Sequence, residues 1–279
     1  MTSVEASPAH PNSSESASES KLWRSPIATL PLWPVLLVSA ILLFVLTPSV
    51  AVTAGHWRGL ESLAPFGVAL GWWWVSARRR GYSTRDVLGQ RPSRKDLALI
   101  LVAAPAALGL HLGWLVSLSV LDFIPESWKE AKSSLETASM PIQLALLVVV
   151  APCAEEILFR GLIFRRSLRW MRPIPAALWS SLFFGIGHLD TVGSSFFGLI
   201  MVGLYLQSGS LWVPIAAHSL NNAIVAFMER MAASHDADSS LVWALAAAQF
   251  VCVPWVAWFL FRTLRQLRQL RQLEGFSPG

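Results

Sequence analysis

The sequence predicts an all-α, polytopic membrane protein with about eight transmembrane helices and both termini on the cytoplasmic side. Three observations carry that expectation. Of the 279 residues 54% are hydrophobic and only 14% charged, with mean hydropathy +0.50, more apolar material than a water-facing exterior needs. The apolar residues gather in runs close to the length a bilayer core requires, with few charges inside them. The basic residues, finally, fall on alternate connections, and cytoplasmic loops are the ones that collect Lys and Arg.

Eight spans follow in order, roughly 32–54, 60–77, 96–121, 141–164, 173–189, 194–208, 210–229 and 241–261. The first follows a Ser/Pro/Glu-rich stretch, MTSVEASPAHPNSSESASES, which has no apolar signal-peptide region; residues 1–25 are expected to be a disordered polar tail. The second ends at Arg78, Arg79 and Arg80, and the third runs into an acidic-leaning outer loop, 122–140. The fourth joins PIQLALLVVV to APCAEEILFRG. The fifth opens on Pro173 and Pro175, and the sixth, SSFFGLIMVGLYLQSG, is short and punctuated by glycine. The seventh leads to the loop ASHDADSS, where a metal site of His235, Asp236 and Asp238 is less expected than a solvated turn. After the eighth comes FRTLRQLRQLRQL, whose period of three drifts round a helix and reads as a basic extension near anionic headgroups. An even number of spans places 17 basic residues on the cytoplasmic side and 4 on the other, with Arg160 left inside a span. The organisation expected is therefore a tail (1–25), three spans with their loops (26–140), four further spans (141–229), a last span (241–261) and a basic tail (262–279).

The same composition narrows the function classes. A net charge of +5 belongs with the inner-face arginines, so no nucleic acid is expected as a partner; anionic lipids at that Arg-rich face are. Cys153 and Cys252 lie in separate apolar spans and read as packing residues. Arginine outnumbers lysine 18 to 4, a bias of GC-rich bacterial genomes, which makes the inner membrane of a bacterium the expected location.

Ionisable groups inside a span are costly, about 2.5–3.5 kcal/mol each on insertion scales, and are functional candidates for that reason. The spans hold Glu155, Glu156 and Arg160, then His188, then His218, Asn221 and Asn222, with His111 as a lone imidazole whose ordinary reading is an interhelical hydrogen bond. Helical spacing sorts them. Glu156 and Arg160 are four apart, on one face and in the favourable acid-before-base order. Glu155 points about 100° away, free to face a cavity while Arg160 neutralises its neighbour. His218 and Asn222 share a face, as do Phe184 and His188, and Asn221 is rotated aside. As a plain ion pair, Glu156–Arg160 would only help its helix insert. An unpaired glutamate, two histidines and an asparagine on three helices are harder to explain as packing.

A carboxylate in an apolar cavity can take a proton from water, a histidine opposite can hold that water, and a second histidine with an asparagine can donate to an oxyanion. These are the parts of a hydrolase that activates water directly. GxSxG, HExxH and a Gly-rich phosphate loop are all absent. Two histidines and a glutamate are also a zinc ligand set, so zinc on Glu155, His188 and His218 stays open.

EEILFR (155–160), FGIGH (184–188) and HSLNN (218–222) resemble, in order, the EExxxR, FxxxH and HxxxN motifs of the CAAX-protease and bacteriocin-processing (CPBP or Abi) family of intramembrane proteases. The likeness covers about 141–229. It implies a glutamic-type endopeptidase in which Glu155 is the general base, His188 shares the catalytic water, and His218 and Asn222 form the oxyanion hole. Glu156 with Arg160, and Phe184, would support them. It implies no cofactor, with zinc as the alternative, and a membrane-associated protein or peptide as substrate, processed in peptide maturation or C-terminal protein sorting. A proton-coupled transporter and a non-enzymatic immunity protein are the competing readings from other classes. One tension accompanies the assignment: at 1.5 Å per residue, Glu155 and His218 lie roughly 10–14 Å from the cytoplasmic ends of their spans but His188 about 20 Å.

Overall fold

The computed structural model describes residues 60–120, 144–188, 190–234 and 239–273. The expected first span, the N-terminal tail, the outer loop 122–140 and the His235/Asp236/Asp238 cluster lie outside them.

The described residues are helical throughout, without strands. In order come α1 (Leu60–Arg79), the short α2 (Thr84–Leu88), α3 (Arg94–Val120), and a continuous helical stretch in which α4 (Ala151–Glu156) is flanked by π-helical segments at Ala145–Val150 and Ile157–Phe164 before α5 (Arg165–Ser167). Then follow α6 (Pro173–Ile186), α7 (Thr191–Ser208), α8 (Trp212–Ser234) and α9 (Ser239–Leu273). The boundaries track the expected spans from the second to the eighth. By itself one described helix, α7, is long and apolar enough to cross a bilayer, with mean hydropathy 1.3.

Local chemistry sets the ends. Arg172 is extended, as a residue before proline must be, and Pro173 opens α6. α7 starts at the N-cap Asp190 and stops at Gly209 in the left-handed region, φ 64°. Ser83 with Asp86, and Ser93 with Asp96, form reciprocal caps that open α2 and α3. Pro152 lacks an N–H and crowds the carbonyl four residues back, and the helix before it is widened into a π segment.

The segment around α2 folds under the α7–α8 turn and docks on it. Leu211 N–H donates to the Leu88 carbonyl (2.8 Å), and the Ser210 hydroxyl to the Gln90 carbonyl (2.6 Å). Gly89 makes this approach possible: its φ is 86°, and a Cβ there would stand 2.8 Å from the Gly209 carbonyl oxygen. The start of α8 is thus covered by protein, and Leu211 is wholly buried. On the other side, the stretch carrying Glu155 runs on to Ser167, three residues past its expected end at 164. The longer run past Glu155 shrinks the mismatch in depth that the sequence posed for His188.

Two apolar clusters form the interior. One gathers Trp73, Phe164, Tyr205, Leu211, Leu267 and Leu270 at the arginine-rich end; the other gathers Phe184, Phe197, Met201, Ala217 and Phe259 against the polar residues of the spans. The outward faces are apolar too: Leu178, Trp179, Leu182, Phe183 and Ile186 on α6, and Leu101 and Val102 on α3, are exposed. Helices apolar all round, with large exposed side chains, suit a lipid surround rather than water.

The Arg-Gln-Leu tail is a helical extension of the last span, continuing α9 without a break to Leu273, and it also packs on the protein. Thr263, Leu267 and Leu270 are buried while Arg262, Arg265 and Arg268 are exposed. The drift inherent in a period of three leaves Leu264 outside.

Candidate active site

Glu155 and Glu156 sit at the end of α4, where the helix passes from α to π geometry. Their side chains part as the 100° rotation requires. Glu156 and Arg160 are wholly buried, with Arg160 Nη1 donating to Glu156 Oε1 at 3.0 Å. The remaining guanidinium contacts are the Gly198 carbonyl, 2.9 Å from Nη2, and the face of Phe184, 4.7 Å from the charge centre.

Glu156 does more than the spacing foretold. The same Oε1 lies 3.0 Å from Nδ1 of His218, which reaches down from α8 and is 4% exposed. A carboxylate oxygen facing Nδ1 fixes the proton on that nitrogen and leaves Nε2 with a lone pair in the neutral ring. His188, in the turn after α6, reaches the same state by another route: its Nδ1 donates to the Phe184 carbonyl at 2.7 Å, and its ring lies 4.4 Å from that of Phe184. Phe184 and Phe197 wall the space, with Phe197 4.9 Å from the His218 ring.

The two Nε2 atoms converge on Glu155. Its Oε2 is 3.9 Å from Nε2 of His188 and 3.9 Å from Nε2 of His218. Three helices therefore bring Glu155, His188 and His218 together, as their residue types predicted. The gaps are too long for direct hydrogen bonds and have a width that a single bridging water can span. Asn222 stands one turn beyond His218, and its Nδ2 donates to the Leu147 carbonyl at 2.8 Å in the first π segment; Asn221 donates to Asn222 Oδ1 at 3.3 Å. One amide N–H of Asn222 is thereby committed to the backbone.

As a zinc ligand set, Glu155, His188 and His218 fit in one respect only. Each histidine has its second nitrogen engaged by a carboxylate or carbonyl, which suits a metal ligand. The separations do not: ligands of a tetrahedral zinc with bonds near 2.0–2.1 Å stand about 3.4 Å apart, and among the described residues no group of three His, Cys, Asp or Glu is arranged to hold a metal ion.

His111 is not the lone imidazole it resembles in the sequence. Its Nδ1 faces Asp190 Oδ2 at 3.8 Å, and Asp190 also accepts from Trp114 Nε1 at 3.1 Å. Sequence reasoning passed over Asp190, although an Asp directly before a Thr-Val-Gly helix start is an N-cap signal. It also missed Gly198, whose carbonyl takes Arg160 and whose missing side chain makes room: a Cβ there would meet Ser181 Cβ at 3.0 Å.

Residues 137–224, which hold all of these motif positions, match the family model for the type II CAAX prenyl endopeptidase, Rce1-like. A protein of Bacillus subtilis (strain 168), YdiL, named as a candidate membrane peptidase, is 33% identical over 94 residues, covering 33% of this chain. The chain spans 38% of that relative's length. No solved structure matches.

Proposed function

We propose, from the match of residues 137–224 to the CAAX endopeptidase family model, that this protein is an intramembrane endopeptidase that hydrolyses a peptide bond with water activated by Glu155. The observation that carries the reading is the convergence of the Nε2 atoms of His188 and His218, each ring held from behind through Nδ1, on one carboxylate oxygen at 3.9 Å. Water held there gives a proton to Glu155 while hydrogen-bonded to His188, and the resulting hydroxide adds to the scissile carbonyl. Glu155 then passes the proton to the departing amine. His218, with the second amide N–H of Asn222, faces the oxyanion. As a donor through Nε2 as well as Nδ1, His218 would be an imidazolium between Glu155 and Glu156, with Arg160 as the second cation: two charges of each sign in a closed site.

The 17-to-4 distribution of basic residues and the apolar outward faces support a multi-pass protein of about eight spans in a bacterial inner membrane, both termini cytoplasmic. A membrane-associated protein or peptide is the substrate of such a site, in peptide maturation or C-terminal sorting. The engaged second nitrogens of His188 and His218 favour one other reading, a zinc-dependent protease on the same three residues.

The deciding experiment is cleavage of co-expressed candidate membrane substrates by wild type and Glu155→Gln, with and without a strong zinc chelator. A fall of at least a hundredfold in the variant, with chelator inert, is expected. Loss with chelator as well would transfer the three residues to a metal site. Equal rates in variant and wild type would leave the transporter and immunity readings standing and end the protease one.

A further inference from the structure

We infer that Asp190 is a positioning residue for His188, acting through a tether to α3; the inference draws on the protease reading for its kinetic test alone. His188 lies past the end of α6, its side chain 36% exposed, and is gripped from one side by Phe184. What fixes the turn itself is two residues further on. Asp190 is 7% exposed, and its Oδ1 receives two N–H groups: that of Gly193, which caps α7 (3.0 Å), and Trp114 Nε1 on α3 (3.1 Å). Its Oδ2 faces His111, also on α3. An N-cap needs one acceptor and tolerates full exposure. A buried carboxylate is costly unless it is well partnered, and here the additional partners all come from one distant helix.

The packing around it explains why a tether is needed. Between α3 and α7 lies a partly open pocket of ≈ 150 Å³, lined by Leu110, Val192, Phe196 and Ile200 and by His111 and Trp114 themselves. Side chains leave a gap between the two helices at this level, and the Asp190–Trp114 hydrogen bond joins them beside it. Gly193 allows the groups to close, since a Cβ there would stand 3.1 Å from His111 Nδ1 and collide with the Asp190 carboxylate. Cutting the tether releases Asp190 and, two residues back in the chain, His188 Nε2 relative to Glu155. A displacement of about 1 Å at a reacting group costs roughly a hundredfold in rate.

The test uses the full chain in detergent micelles with three variants: Asp190→Ala, Asp190→Asn, which keeps an oxygen for both N–H groups, and Trp114→Phe, which keeps the bulk and loses the donor. Histidine-selective NMR reads His188, its resonance assigned with His188→Gln. We expect that resonance to shift or broaden in Asp190→Ala and Trp114→Phe and to stay near wild type in Asp190→Asn. On a cleaved substrate, kcat per folded molecule falls roughly a hundredfold for Asp190→Ala, with KM little changed, and Asp190→Asn recovers most of it. A merely structural residue would lower the yield of folded protein without moving either readout. An unmoved His188 resonance in both tether-cutting variants overturns the inference, as does an unchanged kcat for folded Asp190→Ala. Should Glu155→Gln cleave like wild type, the protease reading fails by itself, and the resonance still decides the role of Asp190.

Discussion

Glu156 Oε1 lies 3.0 Å from Arg160 Nη1 and 3.0 Å from His218 Nδ1, so one oxygen serves a cation and an imidazole where no solvent reaches. The two contacts separate by mutation. Arg160→Met strands a buried carboxylate and should cost about 3–5 kcal/mol, read as a lowered unfolding midpoint in detergent. The pair Glu156→Leu with Arg160→Met removes both charges and should regain much of that stability, since a buried ion pair is replaceable by apolar groups of similar volume. It should not regain activity, because His218 has then lost the carboxylate that holds its Nδ1. Full activity in the double variant would reduce Glu156 to an insertion aid, the ordinary reading of the ion pair. The residue types and spacings of this cluster were legible in the sequence, because i,i+4 geometry is a property of one helix. That Glu156 also holds His218 was not, because it depends on how α4 and α8 cross.

At the scale of elements, the glycine-punctuated sixth span shows what sequence periodicity leaves out. Its apolar character was plain, but the use of each glycine is a matter of its neighbours: Gly193 opens onto Asp190 and His111, Gly198 onto Ser181 and Arg160, Gly203 onto Phe259 and Thr263 of α9. Three helices or turns approach one helix at three glycines. Gly198→Ala puts a methyl 3.0 Å from Ser181 Cβ and 3.3 Å from Arg160 Nη2, so α6 and α7 must part or the guanidinium must leave the Gly198 carbonyl. Overpacking of this kind costs about 1–3 kcal/mol. The expected result is a lower unfolding midpoint together with a loss of cleavage out of proportion to the folded fraction; a variant as stable and active as wild type would show that this interface yields freely. The π segments were equally invisible, since no hydrophobic pattern reports a turn widened beside Pro152. The caps, which are set by local sequence and were passed over, include one with a pH signature: the Ser83 hydroxyl and amide hold the Asp86 carboxyl below its usual 3.8. Its contribution is therefore present above that value and fades as pH falls through the lower folded one, leaving the α2 cap intact at neutral pH.

For the molecule as a whole, the charge asymmetry and the apolar runs were legible because they follow from the bilayer as solvent and need no tertiary contact. The fate of the C-terminal helix was not. At 1.5 Å per residue the 35 residues of α9 extend about 52 Å, well beyond a hydrocarbon core of about 30 Å, so its last turns must stand clear of the acyl chains. There Leu267 and Leu270 join the cluster of Trp73, Leu88, Phe164 and Tyr205, while Arg262, Arg265 and Arg268 face outward. The helix therefore presents two separable surfaces, a protein-facing one and a basic outward one, and anionic headgroups are the expected neighbour of the second. Leu267→Asp with Leu270→Asp should destabilise the arginine-rich end, including the α2 segment that seats the start of α8, and so lower the unfolding midpoint in neutral detergent. Arg262→Gln, Arg265→Gln and Arg268→Gln together should leave that midpoint unchanged but shrink the stabilisation gained on adding anionic lipid. That gain should also fade with added salt, as exposed charge interactions do. If the triple arginine variant gained as much from anionic lipid as wild type, the basic face of α9 would not be where such lipids act, and the arginines of the α1–α3 and α5–α6 connections would be the next surface to test.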